Sequence, residues 1–147
     1  GLDGLASGVT VIVAAFFAVV CWGQNSNLLP MASAVAGSLL GFLLFNVNPA
    51  KVFMGDTGSL ALGGFVTALA LMLRIPLLLV IVGFIYVLEV VSVVLQVAYF
   101  KATHGKRLFR MAPIHHHFEL GGWKETKVVS VFVIITAILC LIGLLAL

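Results

Sequence analysis

Five long apolar runs, at roughly residues 5–23, 31–47, 58–74, 76–100 and 128–147, constrain what this chain can fold into more than any other feature. Each comes close to or exceeds the about 20 residues that a helix rising 1.5 Å per residue needs to cross a ~30 Å hydrocarbon layer. Strands of a membrane barrel would alternate apolar and polar side chains, and these runs do not alternate. A bilayer core offers no water to unpaired backbone groups, so the runs are expected to be helices. The composition agrees: 63% of residues are hydrophobic and 9% are charged, against about 25% charged in an ordinary soluble domain. The expectation is an all-α, polytopic integral membrane helix bundle, one domain over 1–147 with five transmembrane helices. The fourth run is long enough to be tilted, bent or extended beyond the bilayer.

No basic n-region or small-residue cleavage site precedes the first run, so no signal peptide is read there. The sequence opens in mid-motif, at GLDGLA, as a piece of a longer protein would. Cys21 and Cys140 lie inside apolar runs without metal-ligand spacing and read as inert thiols at lipid depth.

The connections alternate between two faces. Residues 24–30 and 74–76 fall on one side; the N-terminus, 48–57 and 101–127 fall on the other. Lys51, Lys101, Lys106, Arg107, Arg110, Lys124 and Lys127 all lie on the second side, leaving only Arg74 on the first. By the positive-inside rule the second side is cytoplasmic, with loops 48–57 and 101–127 exposed there. The net charge of +3 is small and gives no basis for a nucleic-acid partner. Ala34, Gly37 and Gly41, and likewise Gly64 and Ala68, have the small-residue spacing that lets helices approach closely in lipid.

The polar residues gather on the cytoplasmic side. Asp3 precedes the first run, Asp56 in FMGDTGS precedes the third, and a histidine-rich loop precedes the fifth. Helices running outward from that side turn their positive dipole ends and unpaired N–H groups toward it, an arrangement that favours anions and phosphates. Lys51, Lys106, Arg107 and Arg110 add full charges. Asp56 fits two compatible roles, a helix N-cap or a ligand for Mg²⁺, which typically takes one or two carboxylates plus phosphates and water.

The segment RMAPIHHHFELGGW (110–123) is internal, unlike a purification tag. Pro113 and Gly121–Gly122 bracket a short interfacial helix over 113–120, with Ile114 and Phe118 as its apolar edge and Trp123 as an anchor. Successive helical residues are about 100° apart, so His115, His116 and His117 cannot converge on one ion. One or two of them suit donation to a diphosphate, with the third packing or capping. The alternative is a solvated interfacial cluster. Glu89, Ser92, Gln96 and Tyr99 lie on one face of the fourth run. That face is either the wall of a groove leading to the site or a structural hydrogen-bonding stripe; Gln96, nearer the cytoplasmic end, is the better substrate contact.

GLDGLA (1–6), FNVNPAKVFMGDTGSLALGG (45–64) and MAPIHHHFELGGWKE (111–125) resemble the aspartate motif, magnesium loop and histidine loop of the polyprenyl-phosphate N-acetylhexosamine-1-phosphate transferase superfamily. The spelling of the histidine loop resembles the muramoyl-pentapeptide branch in particular. The resemblance implies that the chain holds the last five of ten spans. It also implies Mg²⁺-dependent transfer of phospho-MurNAc-pentapeptide from UDP-MurNAc-pentapeptide to undecaprenyl phosphate, giving lipid I and UMP in the bacterial inner membrane. On the same basis Asp56 is the metal ligand and Phe53 stacks on the uracil. Asp3 hydrogen-bonds the base, helped by Gly1 and Leu2, and Asn46 lines the nucleoside side. His115 and His116 meet the phosphates with Gln96 close by, and His117 completes the motif. Further implied partners are the lipid bilayer, the N-terminal half of the same enzyme, a second copy in a homodimer, and tunicamycin-like nucleoside inhibitors. The family's adjacent aspartate pair is absent from these residues, so the chain alone is expected to be inactive. Two rivals stand: a sister transferase of GlcNAc-1-phosphate, and a transporter or channel subunit using Glu89 as part of an ion path.

Overall fold

The computed structural model describes residues 2–147, and every regular element among them is an α-helix: α1 (Leu5–Gly23), α2 (Leu29–Asn46), α3 (Gly55–Met72), α4 (Pro76–Val82), α5 (Phe84–Ala102), α6 (Ile114–Leu120) and α7 (Glu125–Leu145). Five of these, α1, α2, α3, α5 and α7, are long and apolar enough to cross a membrane. The fold is the expected all-α polytopic membrane bundle, with shifted boundaries. α3 and α7 each begin three residues earlier than the apolar runs suggested, because Gly55–Thr57 and Glu125–Lys127 are polar first turns.

The fourth run, expected to be tilted, bent or extended beyond the bilayer, is two helices broken at Gly83. A ladder bond runs from the Gly83 N–H to the Leu79 carbonyl, and the next turn restarts on the Gly83 carbonyl, which accepts from Tyr86 and Val87. A Cβ at Gly83 would lie 2.7 Å from the Leu79 oxygen, so the break needs glycine. Seven residues of α4 rise only about 10 Å, too short to span.

α1 is the central element, packed against α2, α3 and α7, and Val9, Val13, Phe17 and Cys21 on it are fully buried. Cys21 and Cys140 are buried free thiols, as read. Close approach between helices is made at two other glycines. Among the described residues, Gly37, Gly41 and Gly64 have nothing within 4 Å where a Cβ would stand. Gly8 instead faces Val133 of α7 at 3.1 Å, and Gly143 faces Val82 of α4 at 2.7 Å and Phe16 of α1 at 3.2 Å. Gly143→Val should therefore destabilise the bundle by about 1–3 kcal/mol through overpacking, read as a lower unfolding midpoint in detergent; Gly37→Val should leave α1, α4 and α7 undisturbed.

At one end of the bundle the chain start, the 47–54 turn and the start of α7 are tied together. The Asp3 N–H donates to Glu125 Oε1 (2.7 Å), and Asn48 Nδ2 donates to Asp3 Oδ2 (3.3 Å) and Glu125 Oε2 (3.2 Å). Both predicted loops and the chain start thus share one end, where the site lies.

Candidate active site

A cleft of ≈ 830 Å³ opens between α3 and the α4–α5 pair and reaches the polar end of the bundle. Asp3, Asn46, Phe53, Asp56, Glu89 and His115 line it, as does Leu2. Three segments far apart in sequence are brought together there by helix ends.

Asp56 sits in the first turn of α3, one residue inside the helix, and makes no capping hydrogen bond. The turn into α3 is made by Gly55, whose φ of +68° suits glycine. Starting the helix there moves Asp56 past the cap position, so the N-cap role does not apply. Its carboxylate is exposed and accepts no hydrogen bond among the described residues. Phe53, 73% exposed, stands at the mouth of the cleft with its ring free to stack. Asp3 Oδ2 accepts from the Ala50 N–H (3.0 Å) as well as from Asn48, so this carboxylate is fixed by the 48–50 turn. Asn46 is buried and mostly committed: its Oδ1 accepts from Ser7 Oγ (2.6 Å) and its Nδ2 donates to the Val52 carbonyl (2.9 Å). Gly1 lies outside the described residues.

The histidine loop folds back along α5. Gln96 Oε1 accepts from the Leu108 and Phe109 N–H groups (3.1 and 2.8 Å), while its Nε2 donates to the Phe109 carbonyl (2.9 Å). One turn back, Ser92 Oγ accepts from the Ile114 N–H (3.0 Å) and donates to the Glu89 carbonyl (2.7 Å). Another turn back, Glu89 Oε2 meets His115 Nδ1 at 2.5 Å. The polar stripe on α5 is the seat of the loop. Gln96 braces 108–109 with its whole amide and is not among the residues lining the cleft.

The histidines have three distinct employments. His115 is buried on the cleft wall. His116 tilts against it, ring centroids 4.1 Å apart, and pairs through Nδ1 with Glu119 Oε2 at 3.0 Å. His117 Nδ1 accepts the Arg110 N–H (3.0 Å), closing the loop on itself, and lies off the cleft. The predicted helix over 113–120 forms as α6, with Pro113 as its N-cap residue rather than its first turn. Phe118 stacks on Trp123, and Lys127 lies 4.3 Å above the Trp123 ring.

No Lys or Arg among the described residues forms a salt bridge, so Asp3 and Asp56 have no cationic partner among them, while Glu89 is paired with His115. No cluster of three or more His, Cys, Asp or Glu side chains forms a self-sufficient metal cage among them either. A cation held here would need other ligands besides Asp56. Mg²⁺ fits such a donor set, because it keeps several waters and takes phosphate oxygens beside one or two carboxylates. Glu125, a residue to which the sequence analysis assigns no role, accepts from the Asp3 backbone; its place within MAPIHHHFELGGWKE was the available signal.

A helical membrane bundle with a carboxylate-bearing loop and a histidine loop on one cleft defines a class, and the sequence assigns it: the chain belongs to the glycosyl transferase family 4, whose family model matches residues 1–74. Within that class the chain is 63% identical over 148 aligned positions to the phospho-N-acetylmuramoyl-pentapeptide-transferase of Clostridium novyi (strain NT). It is 60% identical to the proteins of the same name from Clostridium acetobutylicum and Acetivibrio thermocellus. Each alignment covers 100% of this chain but 45 or 46% of the relative, so the chain spans a little under half the length of the curated relatives it matches.

Proposed function

We propose that this chain carries part of the site of a Mg²⁺-dependent transferase that moves phospho-MurNAc-pentapeptide from UDP-MurNAc-pentapeptide to undecaprenyl phosphate, releasing UMP and forming lipid I. The reading places the site at the cytoplasmic face of the bacterial inner membrane. The observation that carries it is the shared cleft: Asp56, Asp3, Phe53 and the Glu89–His115 pair line one space, which continues into an apolar part bounded by Val66, Leu79, Val87 and Val90. A nucleoside diphosphate needs the first set and a polyprenyl tail needs the second. Few other ligand pairs need both.

In this reading the Phe53 ring stacks on uracil, and the fixed Asp3 carboxylate accepts from the base N–H. Asp56 holds the cation, which when bound neutralises diphosphate charge and eases departure of UMP. His115 presents its ring to a phosphoryl oxygen. Phosphoryl transfer asks mainly for such positioning and charge stabilisation, and the acceptor phosphate, with a second pKa near 6 as in phosphomonoesters, is mostly ionised at neutral pH and needs no strong base.

The full-length protein tests this directly. With UDP-MurNAc-pentapeptide, undecaprenyl phosphate and Mg²⁺ it should release UMP only when the lipid is present, and chelation should stop the release. Equal release from UDP-GlcNAc would point to the sister transferase. Intact nucleotide under all conditions would remove the transferase reading.

A further inference from the structure

The Glu89–His115 pair contains two atoms that nothing among the described residues satisfies. His115 Nδ1 is bonded to Glu89 Oε2, but His115 Nε2 and Glu89 Oε1 are both buried without a hydrogen-bond partner among the described residues. A buried polar atom left without a partner is destabilising. Two side by side on a cleft wall are placed to meet something from outside the chain.

An ionised carboxylate only accepts hydrogen bonds, so the proton of the Glu89–His115 bond belongs to Nδ1. Nε2 is then the imidazole's one uncommitted nitrogen, a lone pair in the neutral ring and an N–H in the charged ring. The backbone under the ring is fixed by the same helix: Ser92 ties the Ile114 N–H to the Glu89 carbonyl. His116 and Glu119 repeat the pairing less stringently. Their side chains are 31% and 29% exposed, against 6% and 19% for His115 and Glu89, so water competes there and much less here.

We propose that Glu89 is the positioning residue of the site: its carboxylate selects the Nδ1–H form of His115 and so leaves Nε2 as the nitrogen that meets a phosphoryl oxygen. The identity of that oxygen rests on the function proposed above. The tautomer does not.

Full-length protein labelled with ¹⁵N-histidine provides the test, the His115 signals being assigned by their loss in His115→Asn. With the ring neutral, Nδ1 should resonate as a protonated nitrogen and Nε2 as an unprotonated one, the reverse of the form free histidine prefers. Glu89→Gln, isosteric but uncharged, should shift the ring toward Nε2–H and lower kcat about 10–100-fold, the range typical of a lost carboxylate partner behind a functional histidine, with KM for the nucleotide nearly unchanged. Glu89→Asp should recover part of both. A wild-type ring protonated at Nε2 rather than Nδ1, or identical signals in wild type and Glu89→Gln, would overturn the assignment whatever the activity. Normal turnover in His115→Asn, with a tautomer that follows Glu89, would instead remove the phosphate contact and leave the role of Glu89 standing.

Discussion

Asp56→Asn in the full-length protein is expected to lower kcat about 10²–10³-fold, the loss typical of removing one charge-stabilising group from a reaction centre, with its helix unchanged. The structure separates these two consequences. Asp56 is exposed in the first turn of α3 and makes no capping bond, so its carboxylate supports nothing local. Asn keeps the shape and removes the charge. Acid in a first helical turn interacts with the helix dipole by only about 0.3–1 kcal/mol, too little to unfold a membrane-embedded helix. UMP release measured across a Mg²⁺ titration, beside an unchanged thermal transition, checks both parts. Near-normal Mg²⁺-dependent turnover would remove Asp56 as the cation ligand.

Gln96→Leu is expected to act through the loop rather than through substrate. Gln96 makes three hydrogen bonds to the backbone of Leu108 and Phe109, each contributing about 1 kcal/mol net. Their joint loss, about 3 kcal/mol, should raise local opening about 10²-fold, visible as faster amide exchange at Leu108 and Phe109 than in wild type. Turnover should fall as well, because the segment leading to His115 loses its anchor. Unchanged exchange at both amides with a raised KM alone would show that Gln96 works by touching substrate.

The apolar runs made the five long helices legible, because a bilayer demands length and hydropathy and the sequence supplies both. The break at Gly83 was not, since it lies in continuous apolar sequence and depends on the Leu79 carbonyl standing where a Cβ would be. The stripe of Glu89, Ser92 and Gln96 was visible as a polar face. Its partner was not, because periodicity marks a face as special without saying which segment lies on it. Of the two compatible roles that Asp56 fits in the sequence, the helix start at Gly55 removes the N-cap and leaves the cation-ligand role to be tested. Asp3, Phe53, Asp56 and His115 do share a cleft, while Gln96, His116 and His117 are not among its lining residues.

The way the histidine loop is fastened has a mechanical consequence. Most residues of α5 are exposed, and Ile85 and Ser92 are its only buried ones. The same helix carries the loop on three successive rungs. A tilt of α5 that widened the apolar part of the cleft would therefore take the imidazole along as fixed cargo, with its carboxylate still attached. The width of the apolar part of the cleft and the placement of the Glu89–His115 pair are thus coupled through one helix, as one lever.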